Sequence, residues 1–279
     1  MFSKQYIYLV AGLQEYTLGS DVKNLNLSEL LQDVLNEFSR SDAEALRLLY
    51  GYYDCENLVS AEAGRTTFNT LGLLSREQIE AVVRGNSDAL ELLPQEVAQS
   101  VESYGSKGGD ISVSDGQAVS FARQIFSGYY EACSASKSSF VKRWSEADRN
   151  LRNLSAAITA RVAGRSVADV VVGRGDVVDA IARSSAIDFG LRGDLPYLDE
   201  VISAVSEEQN LVEKERKIDM VRWSIAEELS EGEYFSAAFV MAYLMKINII
   251  VRWQMLDPVR GREMFDKLLG ELSGKGLVK

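Results

Sequence analysis

The residue types that most often carry chemistry are scarce or dispersed in this chain. None of the 279 residues is a histidine, and there are only two cysteines, Cys55 and Cys133. Without imidazole the usual general base near neutral pH is missing, and so is the commonest metal ligand. Ser–His and Cys–His nucleophile pairs are therefore excluded, as are histidine-bearing zinc sites. Cys55 stands among Tyr52, Tyr53 and Asp54, and Cys133 among small residues. Neither has a cationic cluster nearby to lower its pKa. Asp and Glu together number 41, so a carboxylate hydrolase or an oxygen-ligand metal site stays compatible with composition. Nothing in the spacing gathers them. Glu207-Glu208 and Glu227-Glu228 are neighbours on a charged helical stretch, and side chains at i and i+1 of a helix diverge.

Gly173-Arg174-Gly175-Asp176 follows three valines and precedes a helix, the setting of a nucleotide loop. It lacks the third glycine of a dinucleotide turn and the Gly-Lys-Ser/Thr of a phosphate loop, and reads as a turn with an N-cap. The two Arg-Gly-Asp triplets, at 174–176 and 192–194, read as turns. All three tryptophans follow an arginine, as Arg143-Trp144, Arg222-Trp223 and Arg252-Trp253. Each pair sets an aromatic anchor beside a charged rim, which suits helix packing first and an interface second. No catalytic residue, cofactor site or metal site is assigned on these grounds.

The elements that would position such residues are helical. The three prolines, Pro94, Pro196 and Pro258, leave room for long uninterrupted helices. Tyr6 to Ala11 is rich in β-formers and reads as a short extended N-terminal segment. Ser28 and Ser41 or Asp42 are candidate caps, and Ser75 with Gln78 makes a capping box. From Ser138 to Val162 the residues Phe140, Trp144, Ala147, Leu151, Leu154, Ile158 and Val162 share one stripe. Lys142, Arg149 and Arg152 then point to the opposite, solvated side. Gly164 ends this helix, Asp176 caps a short one, and Ser203 to about Leu229 reads as one charged helix. Phe235 to Val251 is apolar but interrupted by Lys246 and Asn248, which makes it a core helix and not a membrane span. A last helix is expected from Pro258 to about Leu272. The class is all-α, a multi-helix bundle over residues 1–279. A Gly- and Ser-rich stretch at 105–116 suggests two lobes, an acidic one at 1–110 and a long-helix one at 111–279.

Net charge is −11, which disfavours nucleic acid and anionic lipid as partners. The charge is uneven: residues 116–175 carry 9 basic and 4 acidic side chains, a net +5. Lys142, Arg149 and Arg152 lie in this segment and are the expected partner interface. The N-terminus lacks the pattern of a signal peptide, and two separated cysteines suit a reducing cytoplasm.

Several segments together carry a resemblance. They are Tyr6-Ile7-Tyr8-Leu9-Val10-Ala11-Gly12-Leu13, Asn153 through Thr159-Ala160-Arg161, and Asp188-Phe189-Gly190-Leu191-Arg192-Gly193-Asp194-Leu195. Lys217-Ile218-Asp219 with Arg222-Trp223, and Ile250-Val251-Arg252-Trp253, complete the set. The chain resembles a bacterial family of unassigned activity encoded with the genes of V-type ATPases, in the place where the C-type stalk component is expected. The resemblance implies a funnel-like, all-helical adaptor in the central stalk. It would couple the rotor shaft to the membrane ring without catalysis or cofactor, and sit peripheral to the inner membrane through the ATPase complex. Asn153, Arg161, Asp188, Phe189, Gly190, Arg222 and Trp223 match the family pattern and are expected to hold the fold. The alternatives are a helical scaffold for an unrelated partner and a carboxylate- or metal-dependent hydrolase.

Overall fold

The computed structural model describes residues 4–20, 22, 25–105, 115–206 and 210–255. Among them the chain is all-α, with twelve helices and no strand. In chain order these are α1 (Ile7–Gly12), α2 (Leu27–Glu37), α3 (Arg40–Glu62), α4 (Arg76–Val83), α5 (Ser87–Leu90) and α6 (Gln95–Gly105). They continue as α7 (Asp115–Ala135), α8 (Ser139–Val162), α9 (Asp176–Arg183), α10 (Leu198–Ser206), α11 (Leu211–Ser230) and α12 (Ala237–Met255). The glycine-rich stretch, the Glu207-Glu208 pair and the helix expected after Pro258 lie outside the described residues.

Side-chain caps begin the helices where polar residues precede apolar ones. Ser39 Oγ accepts from the Asp42 amide at 3.3 Å, and Ser138 Oγ from that of Val141 at 3.4 Å. Ser75 and Gln78 form the full capping box expected of them, satisfying two amides at the start of α4. Other caps differ from expectation. Asn26 and not Ser28 caps α2, and Ser39 precedes Ser41 and Asp42 as the cap of α3. Gly175 (φ +122°) takes the cap position of α9, leaving Asp176 as the first helical residue. The single helix expected from Ser203 to Leu229 is two, because Asn210 starts α11 afresh by accepting from the Val212 amide at 2.9 Å.

The expected extended N-terminal segment is corrected. Ile7–Gly12 is helical. With no strand to pair against among the described residues, a helix satisfies the backbone locally, and tertiary contacts override the β-propensity of Tyr, Ile and Val. Tyr6 anchors it: its ring lies 4.8 Å from that of Phe38, its amide bonds the Phe235 carbonyl at 2.7 Å, and its hydroxyl donates to Asp42.

Among the described residues two large apolar cores result, with a small third cluster around Val22, Ile247 and Ile250. The larger is built on Leu46, Leu49 and Leu58 of α3, Ile125 and Phe126 of α7, and Val240 and Leu244 of α12. The second joins Leu151 and Leu154 of α8 to Ile181 of α9, Leu198 and Val201 of α10, and Ile218 and Val221 of α11. Trp144 packs against both. The larger core draws side chains from both sides of residue 110.

Helix α8 lies at the junction, packed by α3, α7, α9, α10 and α11. It is therefore not a surface helix with one apolar stripe. Ser145, Asn150 and Asn153 are buried on it, whereas Val162, expected in the core, is 82% exposed at its end. Asn153 staples an irregular segment to it. Its Nδ2 donates to the Val172 carbonyl at 2.9 Å, and its Oδ1 accepts from the Val172 amide at 2.8 Å.

Helices α6 and α7 cross at Gly128, where an added Cβ would stand 2.5 Å from the Glu96 carbonyl oxygen and 2.5 Å from Ser100 Oγ. The backbone oxygen cannot move without parting the helices. Gly128→Ala should lower stability by about 1–3 kcal/mol despite the better helix propensity of alanine. The expected readout is a lower urea midpoint at unchanged slope.

Candidate functional site

A cleft of about 960 Å3 opens between α3, the loop 65–71, α7, α8, α11 and α12. Its size lies within the ~300–1,000 Å3 usual for ligand sites. Arg65, Arg152, Lys214, Arg222 and Arg252 line it together with Glu56, Asp148, Glu215 and Asp219. Among the described residues no cluster of three or more His, Cys, Asp or Glu side chains is arranged to hold a metal.

One wall is a buried ionic network on Asp219 of α11, which is 1% exposed. Its carboxylate accepts from Arg222 Nη1 at 2.8 Å, Arg252 Nη1 at 3.2 Å and Trp253 Nε1 at 3.0 Å. Arg222 Nε reaches Asp148 of α8 at 3.0 Å, and Arg252 Nη2 reaches Glu215 at 2.6 Å. Asp148 in turn accepts from the Tyr130 hydroxyl at 2.8 Å. Burial alone would lower the pKa of Arg222, but Asp148 and Asp219 outweigh it and hold the guanidinium above the ordinary arginine value. Three carboxylates and two arginines thus bind α8, α11 and α12 together.

The facing wall is a loop held by polar side chains of α3. Asn57 grips the Asn69 backbone, with Oδ1 accepting from its amide at 2.6 Å and Nδ2 donating to its carbonyl at 2.9 Å. Asn69 Nδ2 donates to Glu56 at 2.7 Å, and Asp54 Oδ1 accepts from the Leu74 amide at 3.0 Å. Gly72 fits here because a Cβ would lie 2.6 Å from Asp54 Oδ1 and 2.9 Å from Asn57 Nδ2.

Between the walls, the Arg152 guanidinium lies over the Phe126 ring, 3.8 Å from its centroid. Its one hydrogen bond among the described residues, from Nη1 to the Tyr52 hydroxyl, is 3.4 Å long. It forms no ion pair among them. Asn248 of α12 is 3% exposed; its Oδ1 accepts from Tyr50 at 3.1 Å, while its Nδ2 has no hydrogen-bond partner among the described residues.

The basic face expected from Lys142, Arg149 and Arg152 is not assembled. Lys142 is exposed. Arg149 is folded against the chain, its side chain only 13% exposed, with Nη1 donating to the Arg174 carbonyl at 3.1 Å. Arg152 enters the cleft. The cause is the central position of α8, whose flanks are covered by other helices. The family-pattern residues hold joints. Arg161 donates to the Ala186 carbonyl at 2.6 Å and the Ser184 carbonyl at 2.5 Å, with its guanidinium over Phe189. Asp188 Oδ1 accepts from the Gly190 amide at 3.0 Å, in a turn where Phe189 (φ +54°) and Gly190 (φ +75°) are both left-handed. Trp223 Nε1 donates to Glu227 at 2.9 Å.

Asp54, Glu56 and Asn57 carried no sequence signal beyond their position among apolar and aromatic residues, and Asp148, in a polar stretch, carried none. Asn248 carried one, as a polar interruption in an apolar helix. Both cysteines are buried, and burial pushes the Cys133 thiol up to about 12, in keeping with an unreactive thiol.

The chain matches, over residues 3–275, the family described as "Protein of unknown function (DUF2764)", and it belongs to that family. No curated protein matches it.

Asp219→Ala would leave Arg222 with Asp148 alone and Arg252 with Glu215 alone, break the link between them, and remove the acceptor of the Trp253 N–H. It should cost about 3–5 kcal/mol in chemical denaturation, the usual penalty for breaking a buried ion pair from one side. Asp54 gives a pH signature. Burial, partly offset by the Leu74 and Leu73 amides, raises its carboxyl to about 6 from 3.8. The folded chain then keeps a proton that the unfolded chain releases, so this group's contribution falls as pH rises from about 4 to 6, by roughly 3 kcal/mol. Denaturation of Asp54→Asn across pH 4–7 should show a flatter profile, its stability gaining on the wild type as pH rises.

Proposed function

We propose that the chain is a non-catalytic adaptor in the central stalk of a rotary V-type ATPase, coupling the rotor shaft to the membrane ring, the role its sequence resemblance implies. The observation that carries the reading is where the resembling segments sit. Asp219, Arg222, Arg252 and Trp253 form the network joining α8, α11 and α12. Asn153 staples Val172, Arg161 holds the 184–189 turn, and Tyr6 fixes the N-terminal helix to α3. These are joints between elements. A part that passes torque between two others must resist shear between its helices. Buried, charge-assisted bonds with fixed geometry do this better than sliding apolar contacts alone.

Among the described residues no helix is long and apolar enough to cross a membrane. In this reading attachment to the inner membrane is peripheral, through shaft and ring components, on the cytoplasmic side. Surface ion pairs such as Arg143–Glu228 and Arg192–Asp199 mark charged exterior available for salt-sensitive docking.

Affinity purification of the full chain from native membranes is the test. Shaft and ring components should co-purify in fixed ratio, and the isolated chain should turn over no ATP. Recovery of one unrelated stoichiometric partner, without ATPase components, would overturn the assignment and favour a different scaffold role.

A further inference from the structure

Three features stand outside the adaptor reading: the exposed apolar residues near the N-terminal helix, the smaller cleft beside α2, and the unpaired donors in the large cleft. The last carries furthest. We propose that the large cleft is a binding site for a small organic anion, its carboxylate or phosphate group held by Arg152 and Asn248 and its body lying against Tyr52 and Tyr53.

Charge accounting comes first. Of the four carboxylates lining the cleft, Asp148, Glu215 and Asp219 are already engaged by Arg222 and Arg252. That leaves Arg65, Arg152 and Lys214 lining the cleft with Glu56, and Asp148 acts on Arg152 only through space. Glu56 accepts from the Asn69 side-chain amide at 2.7 Å and forms no ion pair among the described residues. The cleft is thus a locally cationic recess in a chain of net charge −11.

Donor geometry points the same way. Arg152 lies over Phe126 and uses one N–H in a 3.4 Å bond to Tyr52. Its other N–H groups find no protein acceptor among the described residues. Among these residues Lys214 donates only to the Val205 carbonyl, at 3.4 Å. Asn248 is fixed by Tyr50 through Oδ1, because the buried tyrosine hydroxyl needs an acceptor for its proton, and this leaves Nδ2 as an unmatched buried donor. Buried donors without partners are rare in folded proteins and cost stability until an acceptor arrives. A ligand rich in acceptors and poor in donors supplies what is missing, and a guanidinium with free N–H groups is suited to carboxylate or phosphate oxygens. The tyrosine walls and the 960 Å3 volume exceed what a bare inorganic anion fills.

The proposal concerns the chain alone, so calorimetry without ATPase components separates its failure from that of the adaptor reading. The full chain is titrated at low ionic strength with inorganic phosphate, citrate and adenosine diphosphate. Citrate or adenosine diphosphate should bind saturably with one site, at least tenfold tighter than inorganic phosphate, and which of them binds distinguishes a carboxylate from a phosphate ligand. Arg152→Gln should weaken that binding tenfold or more, and Asn248→Leu several-fold. Arg183→Gln, on the exposed surface of α9, should leave it unchanged. Thermal melts report whether each variant is folded; where Arg152→Gln is not, Lys214→Gln replaces it and should also weaken binding. Three results overturn the proposal: no saturable binding of either organic anion, equal affinity for inorganic phosphate, or wild-type affinity in the folded cleft variants.

Discussion

The burial of one carboxylate, Asp219, between two arginines is the constraint on which much of this structure turns. A charge that is 1% exposed is tolerable only if its partners are fixed in place. Arg222 and Arg252 meet that need, and each has a second carboxylate, Asp148 or Glu215, that fixes its other edge. The result is a chain of charges running from α8 through α11 to α12. Apolar packing alone would let these helices slide; alternating charges permit one register. The cost of stranding any member makes the set cooperative.

The central position of α8 follows from the same arrangement. It carries Asp148 into the network, Asn153 to the Val172 backbone, Arg149 to the Arg174 carbonyl and Arg152 into the cleft. Its basic residues are therefore largely turned inward. Of the basic residues in 116–175, Arg149, Arg152 and Arg161 are drawn against the chain, whereas Arg123, Lys137, Lys142, Arg143, Arg165 and Arg174 stay exposed. The acidic side chains that make the chain strongly anionic are left mainly to the exterior.

The cleft exists because two walls are stiffened independently. On one side is the ionic network. On the other, Asp54, Glu56 and Asn57 project from neighbouring positions of α3 to hold the 69–74 loop. Asp54 is the costly member, since its carboxyl is buried with backbone amides as its hydrogen-bond donors, and Gly72 is needed so that the loop can approach it. A loop held this way keeps an opening of defined shape where apolar collapse would otherwise close it.

The helical class, the extents of α8 and α12, the capping box at Ser75 and the lack of a cationic neighbour beside either cysteine were legible in the amino-acid sequence. Each depends on neighbours a few residues away: periodicity, caps and the absence of proline. The polar break at Asn248 was visible too, though not its meaning. What lay beyond the sequence were the quantities set by distant partners. Tyr6 to Ala11 has strand propensity but no strand to join among the described residues, so Ile7 onward is a helix. Lys142, Arg149 and Arg152 share a side of an isolated helix, yet the helices packed on α8 leave Lys142 exposed and draw Arg149 and Arg152 against the chain. Asp219 and Arg252 are 33 residues apart, and Tyr50 and Asn248 are 198 apart. Only tertiary packing could bring these pairs together, since helical periodicity says which face a residue occupies and nothing about what that face will meet.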